Sequence, residues 1–252
     1  MIVALYFGGY TLLVTLSLFS FAAIYEIGLL FRRKGFYPIM GPAYLFALTF
    51  CFVYRFFGLL PMIVLYMAAV MTTMMAALLN KTRSMSDAVP SLFIFCYPTL
   101  FLVCMLLVYF SFDRSIALIA AGMAYAAPSC ADTFAYFGGT LLGRHKLCPD
   151  ISPKKTVEGA VFALIGGVLC GLGMSYLQRV WGESVHPAVL MLLGFGCGVF
   201  SEFGDLFASA LKRWASIKDF SSIFPGHGGV VDRIDSILFC APLVLCVFVV
   251  LG

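Results

Sequence analysis

The sequence predicts an all-α protein that crosses the membrane about eight times, within a range of seven to nine. Of its 252 residues, 62% are hydrophobic and only 11% are charged, whereas a soluble domain carries about a quarter charged residues. The apolar residues also form long uncharged blocks, such as 61–79, 89–111 and 236–252. A helix needs about 20 such residues to cross the hydrocarbon core of a bilayer. The chain is therefore predicted to be a polytopic membrane protein.

The apolar blocks also predict the individual membrane segments. The junction at 55–58 indicates a break or a re-entrant turn, because a glycine ends a short arginine-containing stretch there. Alternating loops place all basic residues except Arg55, Arg114 and Arg179 on one face, which the positive-inside rule makes cytoplasmic. The predicted segments are 2–31, 42–57, 59–79, 89–111, 115–142, 158–178, 186–211 and 236–252.

The acidic residues are distributed unevenly along the chain. All 12 except Glu26, Asp87 and Asp113 follow residue 127. We therefore predict a single membrane domain, 1–252, with a helical scaffold in 1–127 and a catalytic half in 128–252. Glu26 itself lies in the stretch YEIGLLFRRKG, which is interpreted as a simple membrane anchor, with contact to lipid headgroups as the alternative.

Glu202 and Asp205 lie at the end of an apolar run, in the stretch SEFGDLFASALKRW. Their spacing puts both carboxylates on one helix face, which Ser209, Lys212 and Arg213 continue. Ionised groups at membrane depth are costly, so they normally face a cavity or a partner. We predict a functional role for Asp205, with an ion pair to a basic side chain of the same helix as the alternative. For Glu202, a functional role and such an ion pair stay equally open.

Asp232 and Asp235 repeat this spacing where the last helix should begin, directly after the glycine-rich stretch PGHGG. Such a loop can adopt positive φ angles and offer its N–H groups to phosphate. For Asp235 the alternative is a helix cap. For His227, phosphate binding and a role in the loop's structure stay open alternatives.

A third polar stretch runs from Asp132 to Gly159. Asp132 is a lone carboxylate in an apolar segment and needs a partner or a function. The sequence SPKKTVEG predicts a helix start with Ser152 as N-cap and a proline at the first helical position. Lys154 and Lys155 would then oppose the helix dipole unless an anion binds there; an ordinary basic loop is the alternative.

Together these stretches indicate metal-assisted phosphoryl or nucleotidyl transfer at the cytoplasmic membrane surface. Carboxylates on different helices provide the oxygen ligands that Mg²⁺ prefers, and the basic residues around them would neutralise polyphosphate.

The stretch SALKRWASIKDFSSIFPGHGGVVDRIDS, which begins at Ser209, closely resembles the signature of the phosphatidate cytidylyltransferase family. DTFAYFGGTLLGRHKL and SPKKTVEG resemble two further family motifs in the expected order. Ala208 stands where many members have glutamate, so no acidic role is assigned there. The resemblance implies that CTP and phosphatidic acid react to CDP-diacylglycerol and pyrophosphate with Mg²⁺ and a second, monovalent cation such as K⁺. It also implies a homodimer.

The resemblance also implies which residues act. Asp205 and Asp232 would be the metal ligands. The catalytic group is Asp205, Asp232, Lys212, Arg213, Asp219 and Asp235. The groups that contact substrate or cofactor are Ser209, Lys218, His227, Gly228, Gly229, Arg233, Asp132, Arg144, Lys154 and Lys155. The expected partners are CTP, phosphatidic acid and membrane lipids, and nucleic acid is not expected.

Two alternative functions stay open. One is a CTP-dependent transferase or a kinase that acts on another membrane lipid; a kinase would need a base for its hydroxyl acceptor. The other is an ion-coupled transporter that binds cations at Asp132, Glu202 and Asp205. A transporter would share its buried charges between two repeated halves, and the sequence shows no such repeat.

Overall fold

A computed structural model describes residues 8–80, 85–182, 185–224, 226 and 228–251. Within these ranges all eight expected segments are helical, so the all-α prediction is confirmed. One segment, Met85–Phe110, is interrupted by a π-helical stretch at Phe95–Leu100 that contains a proline. The helices are α1 (Gly9–Arg33), α2 (Gly41–Phe57), α3 (Leu59–Leu79), α4 (Ala88–Ile94), α5 (Phe101–Phe110), α6 (Arg114–Leu142), α7 (Val157–Leu177), α8 (Pro187–Trp214) and α9 (Val231–Leu251).

The helices suit a bilayer in length and composition. In the described part of the chain, six helical segments are long and apolar enough to cross a membrane. Of the other two, α2 has only 17 residues, and α6 has 29 residues but includes Asp132. The chain is an integral membrane protein. The predicted break at 55–58 is also present, since Gly58 ends α2 with φ +85° and α3 begins at the next residue.

The start of α7 differs from the sequence prediction. Ser152 is not the N-cap, because SPKKT forms strand β2 (Ser152–Thr156), which pairs antiparallel with β1 (Lys146–Cys148). The helix begins at Val157, and the side-chain oxygen of Thr156 accepts the N–H of Gly159. Lys154 and Lys155 therefore lie in a hairpin before the helix and not in its first turn.

The start of α9 also differs. The helix begins at Val231 instead of residue 236, so Asp232 lies inside its first turn. Its first N–H groups are bonded to Glu26. The extra turn is stable because a carboxylate from a distant helix satisfies N–H groups that have no partner within the helix.

The described residues form two compact units. The first comprises Met1–Leu106 and Trp214–Arg233, and the second comprises Leu107–Arg213 and Ile234–Gly252. In the first unit, α2 packs against both α1 and α3, and Phe46 stacks on Phe50 in its core. The division of the chain at residue 127 into scaffold and catalytic half stays a prediction.

In the second unit, α7 packs along α6 and closely approaches α8. A Cβ at Gly167 would collide with the carbonyl group of Gly194, and one at Gly171 would collide with that of Leu190. Small residues at such contacts let two membrane helices approach backbone to backbone. This close packing fixes the position of α8, which carries Glu202 and Asp205.

Candidate functional site

The second unit contains a group of charged and polar side chains, here called the hairpin cluster: Asp132, Lys155, Ser201, Glu202, Asp205 and Ser209. Its centre is the ammonium group of Lys155, which strand β2 supplies. The Lys155 nitrogen lies 2.6 Å from Oε2 of Glu202 and 2.8 Å from Oδ2 of Asp205. The predicted common face of Glu202 and Asp205 is confirmed, because one ammonium group contacts both. The ion pair reaches Glu202 from another element and not from its own helix.

The side chains of the hairpin cluster are protected from solvent to different degrees. The exposed fractions are 16% for Lys155, 12% for Glu202 and 37% for Asp205. Burial lowers the pKa of Lys155, but the carboxylates of Asp205 and Glu202 outweigh it, so the pKa lies above its ordinary value of 10.5. Lys155 is therefore a fixed positive charge at neutral pH.

Asp132 and Ser209 complete the hairpin cluster. The hydroxyl of Ser201 donates to Oδ1 of Asp132 at 2.9 Å, which gives the lone carboxylate of α6 a partner on α8. The hydroxyl of Ser209 donates to Oδ1 of Asp205 at 3.3 Å, one turn along the same helix. Asp235 accepts its neighbour's N–H at 2.8 Å and lies near enough to Asp205, Lys212 and Asp132 to interact with their charges.

The β1–β2 hairpin is held in place by side chains around it. The carboxylate of Glu158 accepts the main-chain N–H groups of Arg144 and His145 and contacts Nδ1 of His145 at 2.7 Å. On α8, Nε of Arg213 donates to the carbonyl oxygen of Ile151 at 3.2 Å. Arg144 and Lys154 are exposed. The hairpin thus presents basic side chains to solvent and holds Lys155 against the carboxylates.

The first unit contains a second group, here called the loop cluster: Glu26, Phe220, Ser221, Gly229, Val230, Val231 and Asp232. Oδ2 of Asp232 accepts the N–H groups of Phe220 and Gly229, both at 2.9 Å. From the sequence we predicted that the main-chain N–H of Gly229 binds phosphate. In the structure this N–H donates to Asp232. Its role toward phosphate stays a prediction.

The glycine-rich stretch turns just before α9. Gly228 has φ +77°, which a residue with a side chain rarely adopts, and its carbonyl oxygen accepts the N–H of Phe224 at 3.0 Å. Lys218, Asp219 and Arg233 are exposed around this turn. The prediction for His227 concerns a position outside the described residues.

The sequence prediction missed Glu26. Its side chain is fully buried in α1 and accepts hydrogen bonds from Ser221, Val230 and Val231. The interpretation of Glu26 as part of a simple anchor is therefore incomplete. Like Asp132, Glu26 is a carboxylate in an apolar helix that needs a partner or a function, and this is the signal that could have identified it.

Both clusters have donors suited to Mg²⁺. In the described ranges, no three His, Cys, Asp or Glu side chains are grouped so that they could hold a metal by themselves. Mg²⁺, however, is usually bound by one or two carboxylates together with substrate phosphates and water. Asp232 and Asp205 each accept hydrogen bonds that orient the carboxylate, as ligating carboxylates commonly do. These residues therefore fit the ion.

Comparison with known proteins identifies the family to which the chain belongs. The model of the cytidylyltransferase family matches residues 1–251. The chain belongs to this family. Among relatives named phosphatidate cytidylyltransferase, one from a Synechocystis species is 47% identical over 123 residues, covering 48% of this chain and 40% of the relative. One from Staphylococcus haemolyticus is 37% identical over 167 residues, covering 66% and 61%.

A third relative of the same name, from Bacillus subtilis, is 42% identical over 127 residues, covering 48% of this chain and 46% of the relative. The chain thus spans about half the length of the relatives it matches. The resemblance read from the signature is confirmed at the level of the family.

Proposed function

We propose that the chain transfers the cytidylyl group of CTP to phosphatidic acid and forms CDP-diacylglycerol and pyrophosphate. The observation that carries the proposal is the family match over residues 1–251. The relatives' name supports the lipid phosphate as acceptor. The structure adds two clusters that contain carboxylates, one of them around the ammonium group of Lys155 and the other around Glu26 and Asp232, in a membrane protein. Such groups suit a reaction between a dissolved nucleotide and a lipid.

The proposed reaction needs no general base. A phosphate oxygen of phosphatidic acid, already anionic near neutral pH, would attack the α-phosphorus of CTP. The bond to the β-phosphate oxygen breaks, and that oxygen leaves with pyrophosphate. The protein must therefore bring two anions together and stabilise the charge that develops on the leaving group. We assign this task to Lys212, Arg213, Lys218 and Arg233, with Arg144 and Lys154 as further groups for phosphate.

We propose Asp205 and Asp232 as the ligands of Mg²⁺, an assignment that rests on the family resemblance. The ion would supply positive charge to the phosphate oxygens. Ser209 would orient Asp205, and the N–H groups of Phe220 and Gly229 would orient Asp232. Lys155 would hold Asp205 beside Glu202, and Asp132, Asp219 and Asp235 are proposed as supporting acidic groups.

The setting of the reaction is also proposed. The loops rich in lysine and arginine support an active site on the cytoplasmic side of the membrane. The second, monovalent cation and the homodimer rest on the family resemblance alone.

The proposal is tested with the purified chain in detergent, phosphatidic acid, Mg²⁺ and CTP labelled at either the α- or the γ-phosphorus. We expect α-label in the lipid product and γ-label only in pyrophosphate. Asp205→Asn and Asp232→Asn should each reduce the rate roughly 100-fold or more, because they remove electrostatic stabilisation at the reacting phosphates. The control Asp113→Asn removes an exposed carboxylate just before α6 and should keep the wild-type rate.

The other outcomes separate the alternatives. Label from the γ-phosphorus in the lipid would identify a kinase instead. A folded wild-type chain that labels no phosphatidic acid, but labels another lipid phosphate, would contradict the acceptor and keep the class of reaction.

A further inference from the structure

The carboxylate of Glu26 is satisfied entirely by the signature segment in the described part of the first unit. Oε1 accepts the hydroxyl of Ser221 at 2.6 Å and the N–H of Val230 at 2.7 Å, and Oε2 accepts the N–H of Val231 at 2.8 Å. These donors lie about 200 residues later in the sequence. Glu26 has no exposed surface, so the contact holds the signature segment to α1.

The N–H groups bound by Glu26 are those at the start of α9. The first N–H groups of a helix have no partner within the helix, and the helix dipole favours a negative charge beside them. Glu26 therefore acts as a cap supplied by another helix. A glutamine could not replace it fully, because its NH₂ group donates and does not accept.

The contact leads directly to Asp232. The N–H of Gly229, the residue just before Val230, donates to Oδ2 of Asp232, as does the N–H of Phe220. A Cβ at Gly229 would collide with the carboxylate of Glu26, so the segment also fits closely against α1. Two carboxylates thus hold this part of the signature segment in place. Glu26 accepts the N–H groups of Val230 and Val231, and Asp232 accepts those of Phe220 before the turn and Gly229 after it.

We propose that Glu26 is a positioning residue for the reaction. It sets the start of α9 and thereby the place of the Asp232 carboxylate, without touching substrate. The inference rests on the proposed function in so far as Asp232 is a proposed metal ligand. Residues that orient a ligating group typically change metal affinity or activity by about 10–100-fold when they are removed.

The first test needs no substrate. Hydrogen exchange is followed by mass spectrometry on the whole chain in detergent, comparing wild type with Glu26→Gln. We expect peptides that cover 219–231 to exchange about 10-fold faster or more, because the hydrogen bonds of Val230 and Val231 would open more often. The control is Asp87→Asn, since Asp87 is also a buried carboxylate that accepts a main-chain N–H, that of Tyr37. It should leave the exchange of 219–231 unchanged.

The second test separates positioning from general stability. In Glu26→Gln, the Mg²⁺ concentration for half-maximal activity should rise about 10-fold, while the KM for phosphatidic acid stays within about twofold. Asp87→Asn should not shift the Mg²⁺ concentration, because a smaller folded fraction lowers only the maximal rate. If Glu26→Gln does not fold, Ser221→Ala removes one hydrogen bond to Glu26 and should shift both readouts in the same direction by less.

The outcomes are distinct. Unchanged exchange in 219–231 would overturn the inference, and so would faster exchange without a shift in the Mg²⁺ concentration. If wild type transfers no cytidylyl group, the proposed function fails, while the exchange experiment still decides whether Glu26 holds the segment.

Discussion

Lys155 and Glu202 form an ion pair of 2.6 Å although they lie 47 positions apart in the sequence. The lysine comes from a short strand and the glutamate from a long apolar helix. The same ammonium group reaches Asp205 at 2.8 Å. Two acidic side chains of α8 thus share one positive charge, and this arrangement has consequences for stability.

Replacing Lys155 with an uncharged residue tests how much its positive charge contributes to the free energy of unfolding. Lys155→Met should lower the free energy of unfolding by about 1–3 kcal/mol, because it leaves two carboxylates near each other without a counter-charge. A fully buried pair would cost about 3–5 kcal/mol, and the 37% exposure of Asp205 reduces the effect. Thermal unfolding in detergent measures it. Lys154→Met, at an exposed position of the same strand, should change the melting temperature little; equal losses would contradict the assignment.

The pH dependence of this ion pair follows from the raised pKa of Lys155. Its stabilising contribution is complete below the ordinary value of 10.5 and is lost only as the pH rises through the higher value of the folded state. The difference in melting temperature between wild type and Lys155→Met should therefore stay constant from about pH 6 to pH 9 and shrink only at a pH above 10.5. A difference that vanished near neutral pH would contradict a raised pKa.

The start of α7 gives a direct comparison between two candidate caps. Thr156→Ala should cost about 1 kcal/mol, because it removes the acceptor for the N–H of Gly159. Thr156→Ser should keep most of that stability, since the hydroxyl is retained. Ser152→Ala should be nearly neutral, because Ser152 lies in β2 and not at the helix start. Melting temperatures that ranked Ser152→Ala below Thr156→Ala would restore the cap that the sequence predicted.

The contact between α7 and α8 can be tested with two glycines of one helix. Gly167→Ala should cost about 2 kcal/mol or more, because its Cβ would meet the carbonyl group of Gly194, and two backbones would have to move apart. Gly173→Ala should be tolerated, since a Cβ there has no neighbour within 4 Å. Yield of folded protein and melting temperature measure both. Helix propensity by itself favours alanine over glycine, so similar losses for the two variants would contradict the assignment of the cost to the contact with Gly194.

The sequence by itself determined the class of protein and the position of most helices. The length of an apolar block and the cost of a charge in a bilayer are local properties, so the segments 42–57, 59–79 and 115–142 agree with α2, α3 and α6 within one residue. The spacing of Glu202 and Asp205 also predicted their common face, because helix periodicity is local. The signature identified the family, which the match over residues 1–251 confirms.

Only the tertiary structure decided which partners those charges have. Glu26 binds the N–H of Val230 across 204 positions, and Lys155 reaches Glu202 from a strand that the sequence predicted as a helix start. In both cases the partner comes from a distant part of the chain, where no sequence spacing predicts it. A buried carboxylate needs compensating donors wherever the fold can supply them. For Glu26 these donors are the N–H groups of Val230 and Val231. The helix α9 therefore begins at Val231, and α1 contacts the signature segment there.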